Sequence, residues 1–254
     1  MALPTPTVHH RGRRELLGPL AAVVLLLVLT ILCLVAAALA RRQNPLRRAW
    51  RAAAAADRYQ LVGETRWQAG AERGAWRVSG SGHLDGRLAI TLTQVADLAA
   101  DPGGAMSLAL AIAWPEVRLA APDGPTAAPE PHALARALPG GDPLALLAVG
   151  EGARAGPLEA VGARDCQTWD FQVGGAAYLS WWREHPGFLP VNADSGGLPT
   201  FEAQSRLWQD PATGLPCRIV AQLRLPRVAG EQSGEAGLDW RYDWARPASA
   251  TAER

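Results

Sequence analysis

Four residues in Val78–Gly86 are of the types that hydrolysis uses: Ser79, Ser81, His83 and Asp85. In a strand, residues two apart share a face, so Ser81, His83 and Asp85 could line up as hydroxyl, base and orienting acid. The setting does not suit a nucleophile, because neither serine sits in a G-x-S-x-G turn between a strand and a helix. The stretch therefore reads as the polar end of a strand, and no catalytic residue is assigned. His132 and His185 stand far apart with no E-x-x-H or cysteine spacing beside them, so neither a metal site nor a cofactor is expected. His9 and His10 fall in the N-terminal tail. The chain reads as non-enzymatic.

Sulfur chemistry is the other possibility. Of three cysteines, Cys33 lies in a long apolar segment, where it serves as a small hydrophobe. Cys166 and Cys217 fall in expected strands. A disulfide needs Cα atoms roughly 4.4–6.8 Å apart, which sequence spacing alone does not reveal. A Cys166–Cys217 bridge and two free buried thiols both stay open.

The elements that position these residues begin with an anchor. Leu16–Ala40 carries no charge, and at ~1.5 Å per residue it is long enough to cross ~30 Å of hydrocarbon as one helix. It reads as an uncleaved signal anchor, although Ala38-Leu39-Ala40 resembles a cleavage site. The flanking arginines are Arg11, Arg13 and Arg14 before it, and Arg41, Arg42, Arg47, Arg48 and Arg51 after it. Charge counting alone puts the C-terminal side in the cytoplasm, whereas long domains translocate largely regardless of charge. The arginines after the span either meet phospholipid headgroups or form an ordinary membrane flank.

The chain has 254 residues and a formal charge of +1, all its basic residues being arginine. No basic field points to nucleic acid. Ten tryptophans argue for a real core. Asn44 as N-cap and Pro45 at the first position predict a helix to about Arg58. The period then changes to two. Leu61–Trp67, Trp76–Val78, Leu88–Leu92, Leu108–Trp114, Trp169–Val173 and Leu238–Trp244 alternate apolar with polar or small residues, as antiparallel strands with one buried face do. Ser205–Pro226 reads as a hairpin turning at Asp210-Pro211 with Gly214 at positive φ. Beyond the turn, Cys217, Ile219, Ala221, Leu223 and Leu225 share one face, with Val220 the exception on the other. Short helices are expected near Pro131–Leu138, Pro143–Val149 and Ala176–His185. In the last of these, adjacent Trp181 and Trp182 cannot face one core; either one meets lipid or a partner, or the helix is wedged between sheet and loop.

About eight strands thus offer an apolar face that few helices remain to cover. Either the sheet packs upon itself, or it leaves a cavity for an apolar guest. The lining of such a cavity falls to Leu88, Ile90, Leu110, Ile112, Phe171, Ile219, Leu223 and Trp240.

Several stretches, in order, resemble the LolA-like bacterial lipoprotein-carrier superfamily, with the LppX and LprG type of lipid carriers. They are "AADRYQLVGETRW", "GDPLALLAVGEGARAGPLEAVGARDCQTWDFQV", "AAYLSWWREHPGFLP" and "RLWQDPATGLPCRIV", spread over most of Ala54–Trp244. The resemblance implies a curved antiparallel half-barrel with helices closing its concave side, and in several members an acyl-chain cavity. The fold class expected is therefore α+β, mainly β: such a half-barrel preceded by one transmembrane helix. The domain plan is a tail at 1–15, an anchor at 16–40, a juxtamembrane helix at 41–58, the half-barrel at 59–246 and a disordered tail at 247–254. The resemblance also implies an exported domain on the bacterial cytoplasmic membrane, facing the periplasm or exterior. Its expected partners are the membrane, a lipid or acyl chain, and an envelope protein. A tether departs from the soluble, shuttling carrier and suits a local holder, presenter or sensor. The alternative is a protein-interaction or sensory module with a filled core.

Overall fold

The computed structural model describes residues 25–32, 44–95, 107–113, 116–119, 138, 141–184, 201–225 and 234–244. Residues 25–32 are helical (α1) and their leucines are exposed. No helix among the described residues is long and apolar enough to cross a membrane. Most of Leu16–Ala40, both chain ends and the helix expected near Pro131 lie outside the described residues.

Residues 1–44 and 45–254 separate into two units. The second holds every buried residue described. It opens with α2 (Pro45–Ala56), which buries Leu46, Ala49 and Ala53. That spacing of three and four puts them on one stripe. The stripe packs on the domain, so this helix belongs to the core. It ends at Asp57, whose φ of 60° turns the chain into β1; an aspartate tolerates this left-handed geometry better than most residues. The Asp57 N–H donates to Ala53 O at 2.9 Å.

Ten strands follow among the described residues: β1 (Arg58–Ala69), β2 (Glu72–His83), β3 (Leu88–Val95), β4 (Ser107–Ala113), β5 (Glu116–Leu119), β6 (Glu151–Val161), β7 (Arg164–Gly174), β8 (Glu202–Gln209), β9 (Pro216–Leu225) and β10 (Gly234–Trp244). Two short helices interrupt them, α3 (Ala145–Val149) and α4 (Gly175–Glu184). The strands form one sheet in the order β5-β4-β3-β2-β1-β10-β9-β8-β7-β6, and every neighbouring pair is antiparallel. The molecule is mainly β, with two meanders joined where the first strand pairs with the last.

Period-two alternation sorts the two sides of the sheet. Leu61 faces Tyr242 across the β1–β10 ladder, and Gly63 faces Trp240. The glycine is required there, because a Cβ on Gly63 would meet Trp240 Cδ1 and the Asp239 carbonyl oxygen at 2.7 Å. Trp240 is wholly buried and turns its indole N–H toward Thr65 Oγ1, 3.4 Å away. On the opposite side, Arg218 pairs with Asp239 (2.7 Å) and Arg206 with Asp170 (2.6 Å). Such wet pairs add little stability, while burial of the apolar side dominates.

The β8–β9 hairpin forms as its residues dictate. Asp210 Oδ1 accepts the Ala212 N–H at 2.8 Å, Thr213 Oγ1 accepts the Leu215 N–H at 3.2 Å, and Gly214 takes φ 78°. A register shift between Trp208 and Gln209 changes one expectation. Cys217 does not share the cluster of Ile219 but joins a small second one with Cys166 and Trp208, against which Val220 packs. Val220, the exception to the alternation, thereby finds its partners.

Candidate functional site

All eight residues expected to line a cavity lie in one apolar cluster. Leu88 pairs with Ile112, and Ile90 with Leu110, across β3 and β4. Phe171 sits on β7, Ile219 and Leu223 on β9, and Trp240 on β10. Each is buried, with exposures from 0% at Ile219 and Trp240 to 7% at Leu88. The face is therefore continuous from β7 to β4, and it is covered.

Helices and aromatic rings account for part of the cover. α2 packs on α3 and on β9, and α4 packs on α3 and on β7. Trp50 of α2 meets Trp181 of α4 edge-on at 5.8 Å, and Tyr178 stacks on Phe201 at 4.7 Å. Trp181 is thus half-buried against a neighbouring helix. Nothing is described of the Trp182 side chain.

A polar knot within the core escaped the sequence reading. The Asp142 carboxylate accepts a short hydrogen bond from the Tyr59 hydroxyl, a second from Tyr242 at 3.1 Å, and a third from the Leu144 N–H at 2.9 Å. Tyr59 and Tyr242 meet edge-on at 5.6 Å. The knot ties the segment leading into α3 to β1 and β10. Burial raises the Asp142 carboxyl above its usual range, against the lowering effect of its three donors. Burial first, and the neighbouring carboxylate second, push both tyrosines well up. "GGDP" carried the hint, an aspartate just before the proline at which a helix was expected to begin.

The serine–histidine–aspartate set does not assemble. His83 Nδ1 lies 3.4 Å from Asp57 Oδ2, while Asp85 takes the Arg87 guanidinium at 2.6 Å and the Arg87 N–H at 3.1 Å. Ser81 and His83 instead border an open cleft of about 460 Å³ with Ala89, Ala111 and Arg118. A larger open cleft of about 600 Å³ lies at the β1–β2 hairpin beside Glu64, Arg66 and Arg73. Both run mainly along the polar side of the sheet. Among the described residues no group of three or more His, Cys, Asp or Glu could hold a metal ion.

No protein-family model matches this chain, and no curated protein matches it. Solved structures do. The chain is similar to LprF from Mycobacterium bovis at 9% identity and TM-score 0.46, over 82% of this chain and 94% of that one. It is similar to the Mycobacterium tuberculosis lipoprotein LppX at 10% identity and TM-score 0.41, over 80% and 94%. It is also similar to a putative outer membrane lipoprotein-sorting protein domain from Vibrio parahaemolyticus, at 10% identity and TM-score 0.23, over 80% and 94%. LppX and a lipoprotein-sorting domain are among the kinds of protein that the sequence resembles.

Proposed function

We propose that residues 45–254 form a membrane-tethered, extracytoplasmic domain that binds or presents a lipid or other apolar ligand in a curved half-barrel, without catalysis. The observation that carries this reading is the reach of the apolar face. It runs from Phe171 to Leu110 and Ile112, past β7 and β9, the strands on which the described helices make most of their contacts. An acyl chain laid along it gains ~0.8 kcal/mol per buried methylene. The charge-free Leu16–Ala40 supports the tether, and the sequence resemblance supports the outward orientation.

A second reading draws on the low exposure of those same eight residues. A filled core suits an envelope interaction or sensory module, with the polar side of the sheet meeting a protein partner.

A fluorescent acyl probe titrated against residues 43–254 separates the two, because this fragment contains the whole core. Ligand binding predicts saturable probe binding that fatty acids displace, weakened about tenfold by Leu110→Trp or Ile219→Trp in variants that keep their circular dichroism. Absence of saturable binding favours the second reading.

A further inference from the structure

The polar side of the sheet carries one small apolar cluster, centred on a pair of sulfur atoms. Cys166 on β7 and Cys217 at the start of β9 are 0% and 3% exposed, with Trp208 beside them and Val161 and Val220 packed against the group. Their Sγ atoms stand 2.7 Å apart, closer than two unbonded sulfur atoms rest against each other.

Strand geometry makes this approach unusual. β8 separates β7 from β9, so regular pairing would hold those two backbones about 9–10 Å apart. That exceeds the Cα separation of roughly 4.4–6.8 Å that a disulfide spans. The register shift between Trp208 and Gln209 lifts the obstacle. There β8 gives way to the turn, whose Asp210 N–H donates to Leu215 O at 2.9 Å. The two thiols meet across the strand's end. Their other hydrogen-bond partners are distant carbonyls, Arg164 O at 3.9 Å and Leu215 O at 4.0 Å.

We propose that Cys166 and Cys217 form an intramolecular disulfide, and that the domain therefore folds in a compartment that oxidises thiols. The step is a thiol–disulfide exchange. Both S–H bonds break and one Sγ–Sγ bond forms; two electrons and two protons pass to the disulfide of a thiol–disulfide oxidoreductase, which leaves as a dithiol. The bridge is structural rather than reactive. Burial pushes both thiols upward, Cys217 the further, so the folded pair offers little thiolate for exchange. It tethers β7 to β9 across 51 positions of sequence. Disulfides persist in extracellular and periplasmic settings and are rare in the cytosol, so the bridge reports on the compartment. It does not depend on any ligand.

The test uses the full chain with its own N-terminal segment, made in a bacterium, quenched in acid, unfolded and labelled with a polymer-linked maleimide before and after reduction. The chain has three cysteines, so the bridge predicts one label (Cys33) before reduction and three after it. Cys166→Ser should free Cys217 for a second label; because labelling is done on unfolded chain, this holds whether or not the variant folds. Digestion and mass spectrometry should find the Cys166 peptide joined to the Cys217 peptide. Three labels without reduction would overturn the proposal, as would either cysteine joined to Cys33 or to another chain. A bridge that forms in a glutathione redox buffer but not in the cell would overturn the oxidising compartment. In the folded protein, dithiothreitol should reduce the bond about a hundredfold more slowly than in urea, because access needs local opening; equal rates would contradict its burial.

Discussion

Replacing Asp142 probes the core where polar and apolar demands conflict. Its carboxylate accepts from the Tyr59 and Tyr242 hydroxyls and from the Leu144 N–H, all within a buried knot. Asp142→Ala leaves three buried donors without an acceptor. At about 1–2 kcal/mol for each buried group deprived of its partner, the loss is about 3–6 kcal/mol. With an unfolding slope near 2 kcal/mol per molar urea, the midpoint should fall by about 2 M. Asp142→Asn keeps an amide oxygen for Leu144 and Tyr242 and can donate to the Tyr59 hydroxyl, so it should cost about 1 kcal/mol at neutral pH. The pH dependence gives a sharper check. Burial raises the folded carboxyl above its unfolded value, so its contribution is fully present below the unfolded pKa near ~3.9 and fades as pH climbs through the folded value. The stability gap between wild type and Asp142→Asn should therefore be widest in acid and narrow toward neutrality. Urea titrations of residues 43–254 at several pH values read this directly. A gap that widens with pH would refute the reasoning, because the folded state would then favour the charged carboxylate.

Two further predictions concern the sheet. Gly63→Ala forces a Cβ to 2.7 Å from Trp240 and from the Asp239 carbonyl; it should destabilise by about 2–3 kcal/mol, read as a lower urea midpoint. Reducing the Cys166–Cys217 bridge, which closes a loop spanning 51 positions, should lower stability by up to about 4 kcal/mol in the chain-entropy account, read as a fall in Tm.

The sequence showed most of the sheet wherever one face was oily and the other wet. Leu88–Leu92, Trp169–Val173 and Leu238–Trp244 became β3, β7 and β10, because burial on one side imposes period two. The edge strands were illegible for the same reason. β6 is largely exposed along its length and contains Gly152, Gly156 and Pro157, while β5 is only four residues long. Neither offers a pattern to read. Cys217 was placed on the wrong face because a register shift leaves no trace in alternation. Asp142 was missed because its partners, Tyr59 and Tyr242, come from opposite ends of the chain, and only the β1–β10 pairing brings them together. The eight apolar residues were legible as one face, whereas what lies over that face depends on contacts distant in sequence.

Native mass spectrometry of purified residues 43–254 tests the central claim most directly. The account predicts a bound species beside the bare domain, with the mass of an acyl-containing molecule recovered by organic extraction of the same sample. A spectrum showing only the bare polypeptide mass, unchanged after incubation with bacterial membrane lipids, would contradict it.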